Sequence, residues 1–205
     1  MLGTPNRDRL AERREATRRE ILDAAWEVAR EQGLSQITLR DVAARVGMQA
    51  PSLYSHFASK NAIYDAMFAQ AWTECQETIL AAEERLAAEG GATTPRAALW
   101  VQARTFFDFA VSDLARHQLM NQRTIPGFEP TPEAYAPAVV TLESFKKRLR
   151  ALGVKRQQDA DLCVALIGGL IDAQLANDPG GSRWARLVDR AVDMLANDLG
   201  LPQDS

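Results

Sequence analysis

Twelve residues, Gln49-Ala50-Pro51-Ser52-Leu53-Tyr54-Ser55-His56-Phe57-Ala58-Ser59-Lys60, gather an amide, three hydroxyl-bearing serines, a phenol, an imidazole and an ammonium around two large apolar side chains. Leu53 and Phe57 stand at i and i+4, so on a helix they share one inward face. Gln49, Ser52, Tyr54, Ser55 and His56 are left to point elsewhere. Amides and hydroxyls at the exposed start of a helix suit the edges of DNA bases. A Gln49 amide matches an adenine edge, and Ala50 or Pro51 matches a thymine methyl. Lys60 opens the next helical pattern and adds charge beside a helix N-terminus, a natural phosphate seat. His56 serves equally well as a structural hydrogen-bonding group.

Such a reading edge needs elements to hold it. Thr38 and Asp41 have the spacing of a capping box. Leu39, Val42, Ala43 and Val46 then form one apolar stripe of a two-turn helix. Gly47 supplies the backbone freedom for a sharp exit. Pro51 suits the first turn of a second helix, where its missing N–H costs nothing. Two short helices around a glycine turn predict a helix-turn-helix, with the second helix entering a major groove. The same spacing also describes an ordinary helical hairpin in a bundle.

The residues themselves carry more than the spacing. The run Thr38–Val46, Gly47, Pro51–Phe57 and Ser59-Lys60, with its Leu-Tyr-x-His-Phe-x-x-Lys core, closely resembles the DNA-binding segment of the TetR family of transcriptional regulators. The resemblance extends from about Arg18 to about Trp72. Taken position by position, it implies base contacts from Gln49, Ala50, Pro51 and Ser55. It implies backbone contacts from Thr38, Arg40, Ser52, Tyr54, His56 and Lys60. It also implies an all-α fold: a three-helix DNA-binding head joined by a long helix to a C-terminal helical bundle that dimerises.

The remaining chain reads as helices. Residues 1–12 lack periodicity, which predicts a flexible arm over residues 1–14. Arg13, Arg14, Arg18 and Arg19 follow, interleaved with Glu12, Glu15 and Glu20. They fit either an arm reaching phosphates or a minor groove, or a solvated helix start. A helix is expected from about Ala16 to Gln32, with Ile21, Ala25, Val28 and Ala29 inward. The DNA-binding domain is thus 15–60, and 61–205 forms the ligand-binding and dimerisation domain. A long helix runs from Lys60 to about Ala88, with apolar residues for two cores, and residues 89–94 break it. Helices are expected over 95–112, 114–120, 132–152, 157–177 and 182–199. The Pro- and Gly-bearing loop 123–132 interrupts them. Lys146, Lys147, Arg148 and Arg150 read as a solvated charged face.

Charge divides unevenly. Residues 1–60 carry ten Arg or Lys against eight Asp or Glu; the remainder carries fourteen against nineteen. The basic balance sits with the proposed reading edge. With no paired metal-ligand spacing, phosphate loop or nucleophile elbow in the sequence, neither an enzyme nor a cofactor is expected. Cys75 and Cys163 fall inside apolar helical patterns and read as two buried thiols. No apolar run approaches a membrane span, and the arginine-bearing N-terminus has no apolar run behind it. A cytoplasmic protein is expected.

An effector pocket is sought among the C-terminal aromatics and polar residues. The candidates are Trp100, Phe106, Phe107, His117, Arg123, Phe128, Tyr135 and Asp172. Aromatics at helical spacing equally well form core. The last two helices suit a four-helix interface between two chains, through Leu166, Gly169, Leu170, Trp184, Leu187, Val188, Ala191 and Leu195. The Gly168-Gly169 pair inside a helix predicts the close approach of another helix. These features point to a homodimeric repressor that a small molecule releases from a palindromic operator. The alternatives are an activator or ligand-independent DNA binder and, in another class, an all-helical enzyme or small-molecule carrier.

Overall fold

The structure, a computed structural model, describes residues 5–88 and 94–202, with side chains from Arg9 onward. The expected helix break at 89–93 and the first four residues of the expected arm lie outside the described residues. The described chain is all-α, with nine α-helices and two short 3-10 turns. These are α1 (Pro5–Gln32), α2 (Leu39–Val46), α3 (Ala50–Leu53), α4 (Lys60–Ala88), α5 (Pro95–Val111), α6 (Leu114–Asn121), α7 (Pro132–Ala151), α8 (Gln157–Asn177) and α9 (Val188–Asp198).

The chain forms two compact units. The first comprises Met1–Ala71 together with Ala115–Tyr135, and the second comprises Trp72–Leu114 together with Ala136–Ser205. The division falls inside α4, not at residue 60, and the first unit takes in most of α6 and the loop that follows it.

In the first unit, Ile21, Ala25 and Val28 of α1 are buried with Val42, Leu53, Phe57, Ile63 and Tyr64. The expected inward face of α1 is therefore the observed one. Its start is not: α1 begins at Pro5, well before Ala16. Residues 9–15 are all exposed, so this extension shows no apolar period. It is rich in Arg, Glu, Leu and Ala, strong helix formers, and proline is at home in a first turn. Ser59 caps α4, accepting from the Ala62 amide at 3.1 Å.

The second unit packs α5, α8 and α9 around Leu99, Phe107, Ile167, Ile171, Val188, Val192 and Leu195. Thr94 caps α5 through the Ala97 amide at 3.1 Å. Arg96, buried on α5, donates to the Leu201 and Pro202 carbonyls and to the Asn197 side chain, tying down the chain end. The final helix starts at Val188, after a 3-10 turn over Ala185–Leu187, and not at Ser182. Side chains from the preceding helix end take the amides that would have opened it. Gln174 accepts from Trp184 and Ala185 at 2.9 and 3.1 Å, and Asp178 from Arg183 at 2.8 Å. Cys75 and Cys163 are both buried thiols outside any disulfide. No described helix is long and apolar enough to cross a membrane.

Candidate nucleic-acid interface

The geometry of the head begins with two turns of backbone. Thr38 caps α2: its hydroxyl accepts from the Asp41 amide at 3.1 Å and donates to the Asp41 carboxylate at 2.5 Å. At the other end, Gly47 is left-handed (φ 74°, ψ 25°). Its amide bonds to the Ala44 carbonyl and that of Met48 to Ala43, which satisfies carbonyls the helix would otherwise leave open. Arg45 reaches back to Glu27 and Glu31 of α1, at 3.2 and 2.5 Å. Its hydrogen bond holds the Glu31 carboxyl below its ordinary range. The angle between α1 and α2 is thus pinned by charge as well as by the Val42 and Ala43 packing.

Helix α3 is a single turn that continues through hydrogen-bonded turns to Phe57. Leu53 and Phe57 are buried, as their spacing predicts. Thr38, Arg40, Gln49, Pro51, Ser52, Tyr54 and Ser55 are exposed; Ala50, His56 and Lys60 are half-buried. None of the ten expected contact residues is lost to the core. Tyr54 is the most exposed aromatic there, at 58%. Three of the ten have side chains engaged within the head, Thr38 through its cap on Asp41. Ser55 donates its hydroxyl to the Ser52 carbonyl at 2.7 Å. Lys60 donates to the Ile37 carbonyl at 3.1 Å, with its ammonium 5.4 Å from the Tyr64 ring centre.

The expected effector residues do not come together as a set. Arg123, Phe128 and Tyr135 line one cavity of about 380 Å3 in the first unit. The others lie elsewhere. Phe107 is fully buried core, and Trp100 stands on the surface with its indole N–H on Asp189 at 2.7 Å. Phe106 stacks on Trp72, His117 is buried beside Asn121, and Asp172 is exposed on α8. The cavity adds Phe68, Leu119, Met120 and Ile125, which helical spacing does not distinguish from core. Phe68 stacks on Tyr135 at 5.8 Å, and Arg123 pairs with Glu129 at 3.4 Å.

The expected dimer residues also divide. Val188, Ala191 and Leu195 are buried in their own chain's core, so they are not available to a second chain. An amphipathic stripe shows that a face is covered, and here α5 covers it. Leu166, Leu170 and Trp184 are half-buried, while Gly169 and Leu187 remain exposed. Among the described residues nothing lies within 4 Å of the missing Cβ positions of Gly168 and Gly169, so the expected close approach of another helix is not found among them. Leu162, Val164 and Met194 are further exposed apolar residues on α8 and α9. No cluster able to hold a metal occurs among the described residues.

Residues 21–67 match the family model described as bacterial regulatory proteins, tetR family. Two curated relatives, tetracycline repressor protein class D of Escherichia coli and class H of Photobacterium damsela subsp. piscicida, are each 38% identical over 50 residues. That is 24% of this chain and 23% of each relative, so the match spans under a quarter of their length. Among solved structures, the putative regulatory protein SCO4313 superposes with a TM-score of 0.74 at 22% identity, covering 91% of this chain and 98% of its own. The TetR family transcriptional regulator PfmR of Thermus thermophilus superposes with a TM-score of 0.60 at 19% identity, covering 86% and 97%. At these identities the solved structures establish the all-α fold.

Proposed function

We propose, from the premise that this chain belongs through its head to the tetR family of bacterial regulatory proteins, that it is a sequence-specific DNA-binding transcriptional regulator. The observation that carries the reading is the exposed edge Gln49–Ser55 on a turn whose back, Leu53 and Phe57, is buried. Gln49, Ala50, Pro51 and Ser55 read bases. Thr38, Arg40, Ser52, Tyr54, His56 and Lys60 hold phosphates, which position without specifying. No cation stands on α3, so specificity leans on a small number of contacts and on DNA shape. The protein acts where the DNA is, in the cytoplasm.

The finer reading is a homodimeric repressor. The name of the curated relatives supports repression. The exposure of Leu162 and Gly169 on α8 and of Met194 on α9 supports pairing of two chains through these helices. Two heads about one DNA turn apart, ~34–36 Å, then fit a palindromic operator. The effector seat is the cavity of Arg123, Phe128 and Tyr135, walled by Phe68 and by residues of α6 and the following loop. Its volume lies at the lower end of small-molecule sites. An effector there needs a differential affinity of ~1–3 kcal/mol between the DNA-competent and released states.

The test is selection of duplexes from a random pool on the full-length protein, followed by titration of the enriched sequence. A palindromic consensus bound more tightly than a scrambled duplex is expected, with affinity falling steeply as salt rises. Enrichment of no sequence ends the reading. A reporter behind the enriched sequence then separates repression from activation, and a ligand that binds the cavity yet leaves DNA affinity unchanged ends the release mechanism.

A further inference from the structure

Two arginines of α1 grip the far end of the recognition turn. The Arg14 guanidinium donates to the Ser55 carbonyl at 3.1 Å. Arg18 donates to the next carbonyl, that of His56, and lies 4.1 Å above the Phe57 ring centre. The sequence offers these residues as phosphate-seeking or solvated cations; the geometry sets both on backbone carbonyls of the head.

The turn they hold is weak by itself. Helix α3 has four residues and no side-chain cap at its start. A single turn fixes several backbone dihedrals for very few hydrogen bonds, so it does not persist without outside contacts. Leu53 and Phe57 anchor its back. Nothing in that anchoring fixes the carbonyl end, where open C=O groups carry partial negative charge. Two guanidiniums on consecutive carbonyls satisfy those groups and complement that charge. Tyr54 and Ser55 lie on the same turn, so their aim depends on it.

We propose that Arg14 and Arg18 are positioning residues for DNA reading. They hold the Tyr54–Phe57 turn in the geometry that discriminates between sequences, and they act through backbone carbonyls, not through phosphates. The proposal rests on the DNA-binding reading above, and its consequence is specific. Removing the grip lowers discrimination between right and wrong sequences and leaves the electrostatic, sequence-independent part of binding as it was. A phosphate contact does the opposite: it weakens binding to all sequences alike and lowers the salt dependence.

The experiment compares the wild-type chain with Arg14→Ala, Arg18→Ala and Arg18→Lys. The probes are the duplex enriched by the wild-type protein and a scrambled duplex of equal length, each titrated over a range of salt. If the wild-type protein enriches no duplex, the DNA-binding reading has failed; amide hydrogen exchange in the free protein then still tests the grip. For both alanine variants the ratio of enriched to scrambled affinity is expected to fall roughly tenfold, the order of one mismatched base pair. The salt slope on the scrambled duplex is expected to stay at the wild-type value. Exchange at Tyr54–Phe57 is expected to quicken while α1 and α2 keep their protection. Lysine at position 18 keeps the charge without the fork and is expected to recover only part of the ratio. An unchanged ratio with a slope lowered by ~0.9 per arginine overturns the proposal in favour of phosphate contacts. Unchanged exchange at Tyr54–Phe57 overturns it as well. Arg14 is exposed, so Arg14→Ala keeps the test decisive if Arg18→Ala fails to fold.

Discussion

The Tyr64 hydroxyl donates to the Leu34 carbonyl at 2.6 Å, in a site closed to solvent. This bond ties α4 to the 3-10 turn over Leu34–Gln36, just ahead of the Thr38 cap of α2. Burial pushes the phenol up to about 12. Tyr64→Phe leaves the carbonyl with the Ile37 amide alone, at 3.4 Å, and is expected to cost about 0.5–1.5 kcal/mol in urea unfolding. The pH dependence has a definite sign. The unfolded chain releases this proton near pH 10 and the folded chain near 12, so between them the folded state holds more protons. The contribution is complete below pH 10 and is lost as pH rises through 12. Stability should therefore fall between pH 10 and 12, by at most about 1.4 kcal/mol per pH unit from this group. Tyr64→Phe should flatten that slope. An equal slope in both proteins would reject the assignment.

Gly47 tests the helix-turn-helix joint. Its φ of 74° lies where a Cβ is strained, yet an added Cβ meets nothing within 4 Å. The cost of Gly47→Ala is therefore backbone strain alone, about 1–2 kcal/mol. Asn, which tolerates this region better, should cost less than Ala. Equal losses for the two would mean that side-chain space, not φ, decides.

Much of the fold was legible because local chemistry and tertiary need coincide. Lys60–Ala88 and Gln157–Asn177 have the bounds read from the sequence, set by Ser59 and by the Asn177–Gly181 turn. The Thr38 cap and the Thr131 cap of α7, which accepts from the Ala134 amide at 3.2 Å, follow from side-chain type alone. What failed was partner choice. Apolar spacing marks Val188, Ala191 and Leu195 as covered, and it cannot say whether the cover is α5 or a second chain. It misses the exposed start of α1, which needs no apolar stripe. Among the aromatics, Phe107 in the core and Phe128 at a cavity carry the same helical-protein signature. Arg14 and Arg18 were visible as cations, but their carbonyl partners lie some forty positions away.

Tyr54 and Lys60 should separate reading from bracing. Tyr54 is exposed at 58%, so Tyr54→Ala is expected to leave stability within about 0.5 kcal/mol and to weaken the enriched duplex. Lys60 reaches the Ile37 carbonyl. Lys60→Ala is expected to lower Tm and, if the ammonium also meets a phosphate, to reduce the salt slope by ~0.9. Paired melting and salt titrations read both effects. A Tyr54→Ala protein that binds like wild type would remove that side chain from the interface.

The thiols give a chemical probe of the second unit. Cys75 and Cys163 are buried and form no disulfide. Desolvation, with the Asp159 charge adding to it, pushes the Cys163 thiol up to about 11. Burial shields both thiols from a disulfide reagent at about pH 8, so native protein should titrate no thiols and urea-unfolded protein two. Labelling in native buffer should follow the rate of opening, not reagent concentration. A thiol that reacts within seconds under those conditions would contradict its burial.

The pairing of two chains can be tested against the core itself. Val188 is fully buried beside α5, whereas Gly169 is exposed on α8 with open space where a Cβ would stand. Gly169→Glu therefore adds a charge that the single chain accommodates in solvent. It should leave helicity and unfolding near those of a folded chain while sedimentation equilibrium reports monomers. Val188→Glu instead buries an unpaired carboxylate, with a loss of several kcal/mol and loss of the fold. The two substitutions separate interface from core on one helix pair. If Gly169→Glu sediments as a dimer like the wild type, the α8 face is not where the chains meet. If the wild type itself sediments as a monomer, the homodimer is wrong, and two heads on one palindrome would have to arrive separately.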